Sequence, residues 1–109
     1  MKITNIEESR ERCAEAGWMA YDILFSKPME REFIRSLKNI GGAFMFLEML
    51  KKPFFKLEAE HYILRGVLGD NFLRLAVHMD YPEEMERIKR RLIFLAGSSS
   101  TEDQVKLIK

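Results

Sequence analysis

Residues 62–79 read YILRGVLGDNFLRLAVHM, two alternating runs that meet at Gly69-Asp70-Asn71. Glycine, aspartate and asparagine tolerate the positive φ of a tight turn, so the segment predicts a β-hairpin. With Asp70 and Asn71 in the turn, Leu68 faces Leu73, Gly66 faces Leu75, Leu64 faces Val77 and Tyr62 faces Met79. One face of the hairpin is then wholly apolar. A shift of two residues in register preserves both faces, because side chains alternate with period two. Carried back to residue 55, the same alternation assigns the opposite face Phe55, Leu57, His61, Arg65, Phe72, Arg74 and His78, a mixture too apolar for a purely solvated surface.

Working outward, residues 43–50 (AFMFLEML) lie between Gly41-Gly42 and Lys51-Lys52-Pro53 and read as a buried strand. If they are helical instead, the sheet shrinks to the hairpin alone. On the carboxyl side, Asp80 is suited to cap a helix whose first turn holds Pro82, Glu83 and Glu84, near the positive end of the dipole. Met85, Ile88, Leu92 and Leu95 give that helix an apolar stripe, and Gly97 is suited to end it. On the amino side, Thr4 and Glu7 match a capping box, and Ile6, Cys13, Gly17, Ala20, Tyr21 and Leu24 recur at helical spacing. This predicts a helix over about residues 5–26. A second, shorter helix is expected from Phe33, Ile34, Leu37 and Ile40, started after Pro28 and ended by Gly41-Gly42. The expected fold is therefore α+β: two N-terminal helices, a three-stranded antiparallel meander (at minimum a β-hairpin), and a C-terminal helix packed on one sheet face. Residues 1–97 make up a single domain in this reading, and residues 98–109 a flexible or weakly docked C-terminal tail.

Composition bounds the function classes. A chain of 109 residues with 47% hydrophobic content has room for one modest core, burying about 65% of its unfolded surface. Eighteen basic against 17 acidic residues leave a net charge of +1 and no global attraction to nucleic acid or an anionic membrane. The single cysteine, Cys13, has no partner for an intramolecular disulfide and reads as a small buried apolar side chain. Glu7, Glu8, Glu11 and Glu15 interrupt the apolar run a signal peptide needs, and no stretch is apolar enough to span a membrane. The expected setting is cytoplasmic.

Few constellations carry chemistry. His61 and His78 share a hairpin face, but a metal site needs three or four ligands, and two ordinary strand histidines account for them. Glu58 and Glu60 alternate along a strand and serve equally as charges that deter unwanted strand pairing. Cys13 lies far in sequence from both histidines, and Gly41-Gly42 lacks the spacing of a phosphate-binding loop. The reading contains no catalytic residue, cofactor or metal, and no enzyme. A basic patch at Arg87, Lys89, Arg90 and Arg91 suggests nucleic-acid binding only weakly, since Glu83, Glu84 and Glu86 share that helix.

The apolar supply weighs more. Eight phenylalanines, seven methionines, three tyrosines and one tryptophan exceed what a three-stranded sheet with three short helices should bury. Such a surplus suits an interface. The function expected first is a protein-interaction or regulatory, adaptor-like module, self-associating as a homodimer through an apolar sheet face or through the edge at residues 43–50, with an unidentified protein partner as a further occupant. The second is a small-ligand pocket between the N-terminal helices and the sheet, with His61, Arg65 or Arg74 as polar anchor. Weak RNA or single-stranded DNA binding comes third. The face expected to do the work carries Phe55, His61, Arg65, Phe72, Arg74 and His78.

Overall fold

Period-two alternation governs far more of the chain than a three-stranded meander. The computed structural model describes residues 1–9 and 17–98, and among these six strands form one antiparallel sheet. They are β1 (Ile3–Glu8), β2 (Trp18–Phe25), β3 (Ala43–Leu47), β4 (Phe54–Glu58), β5 (Tyr62–Val67) and β6 (Phe72–His78), in the spatial order β1-β2-β6-β5-β4-β3. Two helices accompany them: α1 (Arg31–Ser36), prolonged by a 3₁₀ turn at Leu37–Ile40, and α2 (Glu83–Ser98). The buried character expected of Cys13 and the docking of the tail lie outside the described residues.

The expected N-terminal helix is overturned, and with it the two-helix, three-strand outline. Residues 18–25, WMAYDILF, are rich in aromatic and branched side chains, which suit a half-buried pleated surface. Ile23 and Phe25 are buried on one face, while Trp18, Ala20, Asp22 and Leu24 point to the other. The helical recurrence of Ile6, Ala20 and Leu24 was coincidental. Thr4 does not cap a helix: its hydroxyl donates to the Leu24 carbonyl across the β1–β2 pair at 3.3 Å. Glu7, its supposed capping partner, accepts from the Asn5 side-chain amide at 2.8 Å.

The hairpin is β5 and β6, turning at Gly69 with φ of +91°. Its register pairs Tyr62 with Val77, Leu64 with Leu75 and Gly66 with Leu73, two residues from the expected alignment, so both faces survive. A further correction concerns the preceding strand. β4 and β5 are separate strands, closed by a turn at Glu60-His61 in which the Ala59 N–H donates to the Tyr62 carbonyl at 2.9 Å. That reversal changes parity, so Phe55 opposes Gly66, Leu57 opposes Leu64, and both are fully buried. Phe54, not Phe55, looks out from the open face.

After β2 the chain must reach β3 at the far edge, and it does so by crossing one face through α1 and the 3₁₀ turn. The crossing is anchored to the β5–β6 turn by three backbone bonds: Phe25 N–H to Asn71 at 2.7 Å, Met29 N–H to Asp70 at 2.9 Å, and Gly69 N–H to Met29 at 3.1 Å. Phe33, Ile34, Leu37 and Ile40 are buried, as their spacing implies, and join Ile88, Leu92 and Ala96 of α2 over Ile23, Leu64, Leu73 and Leu75. Met85 and Leu95 pack at the margin of this core. The α2 helix runs through Gly97 to Ser98 instead of stopping at the glycine.

Gly66 shows how tightly this layer is built. A Cβ there would lie 2.8 and 2.9 Å from ring carbons of Phe55 and 3.2 Å from the Met29 methyl. Because Phe55 and Met29 are buried on all sides, neither can yield freely. Gly66→Ala is expected to destabilise the fold by about 1–3 kcal/mol, read from urea denaturation followed by Trp18 fluorescence. An unchanged midpoint would contradict the packing of Phe55 over the glycine.

Candidate functional site

With α1, the 3₁₀ turn and α2 all contributing to a core on one side, no helix among the described residues lies over the other face of the sheet. Strand register sorts this face into cross-sheet rows. One row is charged: Glu7, Asp22, Arg74, Arg65, Lys56 and then Met45, each opposite the next on successive strands. A parallel row is apolar, containing Leu24, Phe72, Val67, Phe54 and Leu47. Ala20, Ala76 and Ile63 occupy the level on the far side of the cations.

Arg65 is the anomaly in the charged row. Directly opposite residues lie about 4.5–5.5 Å apart, and like charges so placed repel. Arg65 has Arg74 on one side and Lys56 on the other. Arg74 is relieved by Asp22, with Nε 3.2 Å from the carboxylate, and Lys56 by Glu58 at 3.3 Å. Arg65 has no carboxylate partner among the described residues and is exposed. Between the charged and apolar rows lies an open depression of about 460 Å³, lined by Phe54, Val67 and Phe72 and by Lys56, Arg65 and Arg74, with Asp70 on its rim. It stands on the open face, whereas the pocket expected from sequence lay between helices and sheet and relied on a helix that is not formed.

The two histidines are brought together, though around a tyrosine. His61, in the β4–β5 turn, stacks on the Tyr81 ring with centroids 3.5 Å apart and planes inclined by 17°. His78 meets the same ring edge-on at 5.6 Å and Trp18 at 5.3 Å. The His78 Nδ1 accepts the Asp80 N–H at 3.1 Å, which occupies the lone pair a metal would use. Among the described residues no group of three His, Cys, Asp or Glu side chains is arranged to hold a metal ion. Glu58 ends β4 in its pair with Lys56, and Glu60 sits in the turn, 3.7 Å from His61, so the two carboxylates do not converge.

The basic patch on α2 is divided: Arg90 and Arg91, three and four positions after Arg87, share its side of the helix, and Lys89 does not. Arg87 lies with its guanidinium 5.2 Å over the Tyr62 ring and donates to Glu84 at 2.7 Å. The Tyr62 hydroxyl first, and Glu84 second, hold its pKa above the ordinary arginine value. Lys89 is turned about 200° from Arg87 around the helix, and Arg90 and Arg91 are exposed. No helix among the described residues is long and apolar enough to cross a membrane.

The two sheet edges differ in character. At β1 the register slips between Ile3 and Asn5, and Thr4, Asn5, Glu7 and Glu8 are exposed, all features that blunt an edge. At β3 there is no charge, proline or bulge along Ala43–Leu47. Met45 and Leu47 are 41% and 39% exposed, followed by Met49 at 98% and Leu50 at 47%. Glu48, the first charge after the strand, is drawn to Arg35 of α1 at 2.5 Å. Comparisons with protein-family models, curated proteins and solved structures return no match to this chain.

Sequence reasoning placed Arg65, Phe72, Arg74 and His78 on the open face, named Phe54 and Lys56 beside them without assigning them to that face, and missed Asp22, Trp18 and Tyr81. Asp22 and Trp18 were hidden by the helical reading of their segment. The face of Phe54 and Lys56 was hidden by the Glu60-His61 turn, which carries no glycine, proline or asparagine to announce it. Since Arg65 sits between two cations, Arg65→Gln is expected to raise stability by a few tenths and up to about 1 kcal/mol at low salt, with the gain shrinking as salt screens the repulsion. Thermal denaturation at two ionic strengths measures this. A clear loss of stability would show that the guanidinium contributes to the fold.

Proposed function

We propose that this domain is a protein-interaction module of regulatory or adaptor type that self-associates by pairing β3 with β3 of a second copy. The observation that carries the reading is the contrast between the two edges of one sheet. A bare apolar edge is a template for strand addition, and proteins generally disable such edges by the means used here at β1. Leaving β3 bare while blunting β1 favours one specific pairing.

Antiparallel pairing of β3 with its copy is isologous, so Met45 meets Met45 and Leu47 meets Ala43 across a two-fold axis. The two sheets then join into one. Met49 and Leu50 extend the apolar contact past the strand end, and Ile93 and Phe94 of α2 add exposed apolar surface elsewhere. A cytoplasmic setting belongs to this reading, supported by a single cysteine among 109 residues.

Native mass spectrometry of the full chain at about 100 µM, where even weak association is visible, is expected to give the dimer mass. The double variant Met45→Lys/Leu47→Lys adds charges at exposed positions and is expected to give a monomer with an unchanged far-UV circular dichroism spectrum. A wild-type monomer, or a dimer that survives both lysines, rejects self-association through β3.

A further inference from the structure

Three cations stand side by side above an apolar hollow, yet only one of them has charge to spare. Lys56 is matched by Glu58 and Arg74 by Asp22, while Arg65, between them, has no carboxylate partner among the described residues. Such a residue costs stability where it stands. Locally destabilised features of that kind are common at functional sites, where activity needs them. The depression beside it is walled by the rings of Phe54 and Phe72 and floored by Val67.

The geometry points to a binding site for a small organic monocarboxylate with a flat or branched apolar body. The carboxylate is taken by Arg65, whose planar fork of donors matches two carboxylate oxygens, and the apolar body lies between Phe54 and Phe72 over Val67. The volume of about 460 Å³ falls in the range of small-molecule sites. The free charge sets the valence of the ligand. One uncompensated guanidinium suits one negative charge, and Asp70 on the rim and Glu58 beside Lys56 both oppose a second. A nucleic-acid strand would require a track of unpaired cations beside the rings, whereas in this row Lys56 and Arg74 are both paired. The hollow lies over β4, β5 and β6, so binding there does not depend on pairing at β3.

Titration of the full-length, nitrogen-15-labelled chain with 2-naphthoate tests this by NMR. The expected result is saturable movement of the Phe54, Arg65, Val67 and Phe72 amides. Arg65→Gln should weaken binding about tenfold or more, as should replacing the probe by neutral 2-naphthamide on the wild-type chain. The amide probe keeps the test valid should the variant fail to fold. 2-Naphthyl phosphate should bind no more tightly than the carboxylate. The proposal is overturned if 2-naphthoate gives no saturable shifts, if the shifts map elsewhere, if charge removal from either side leaves affinity unchanged, or if the phosphate dianion binds more tightly.

Discussion

The pairing of β2 with β6 is the constraint on which the rest of this structure depends. Seven successive residue pairs, from Trp18 with His78 to Leu24 with Phe72, insert the second strand of the chain beside the last. Nothing local dictates that partnership, since about fifty residues separate the strands. Its consequences are general. It sets Ile23 against Leu73 inside the core and Asp22 against Arg74 on the open face. It also forces the chain after β2 to cross the sheet, which is why α1 and the 3₁₀ turn lie where they do and why β3 begins at the opposite edge.

From that one arrangement follow both features with functional content. The crossing layer and α2 share one face, so no described helix covers the rows of apolar and cationic side chains on the other. The partner that Arg74 finds in Asp22 comes from β2, so the charge balance of the row Lys56-Arg65-Arg74 depends in part on this long-range pairing. At the margins, β1 closes one side with a slipped register and two acids, and β3 leaves the other bare. Among the described residues, the bare β3 edge and the Arg65 guanidinium thus lie in two separate places on the sheet.

How much of this was legible in sequence depends on the range of the interaction involved. The β5–β6 hairpin was readable because its turn residues and alternating flanks lie within eighteen positions, and its faces tolerate a register error of two. The stripes of α1 and α2 were readable for the same local reason, as was the strand at β3, framed by glycines and Lys-Lys-Pro, although it is a half-exposed edge strand and not the buried one expected. The strands β1 and β2 were not. Their apolar residues fit a helical wheel as well as a pleat, and the distinction is made by β6, which no local pattern mentions. The open face was half legible: Arg65, Phe72, Arg74 and His78 were assigned to it from the hairpin alone. Phe55 was misassigned because the Glu60-His61 turn reverses parity without a residue that signals a turn. Tyr81, which gathers both histidines, was given no role in the sequence reading.

The central claim, that β3 is an unsatisfied edge awaiting a copy of itself, concerns particular backbone N–H groups, and amide hydrogen exchange reads them directly. Measured across a dilution series of the full chain, the outward-facing amides of Ala43–Leu47 should exchange more slowly as concentration rises, while those of Ile3–Glu8 stay unchanged. Exchange at β3 that is equally fast at every concentration, or protection that develops at β1 instead, would contradict the account.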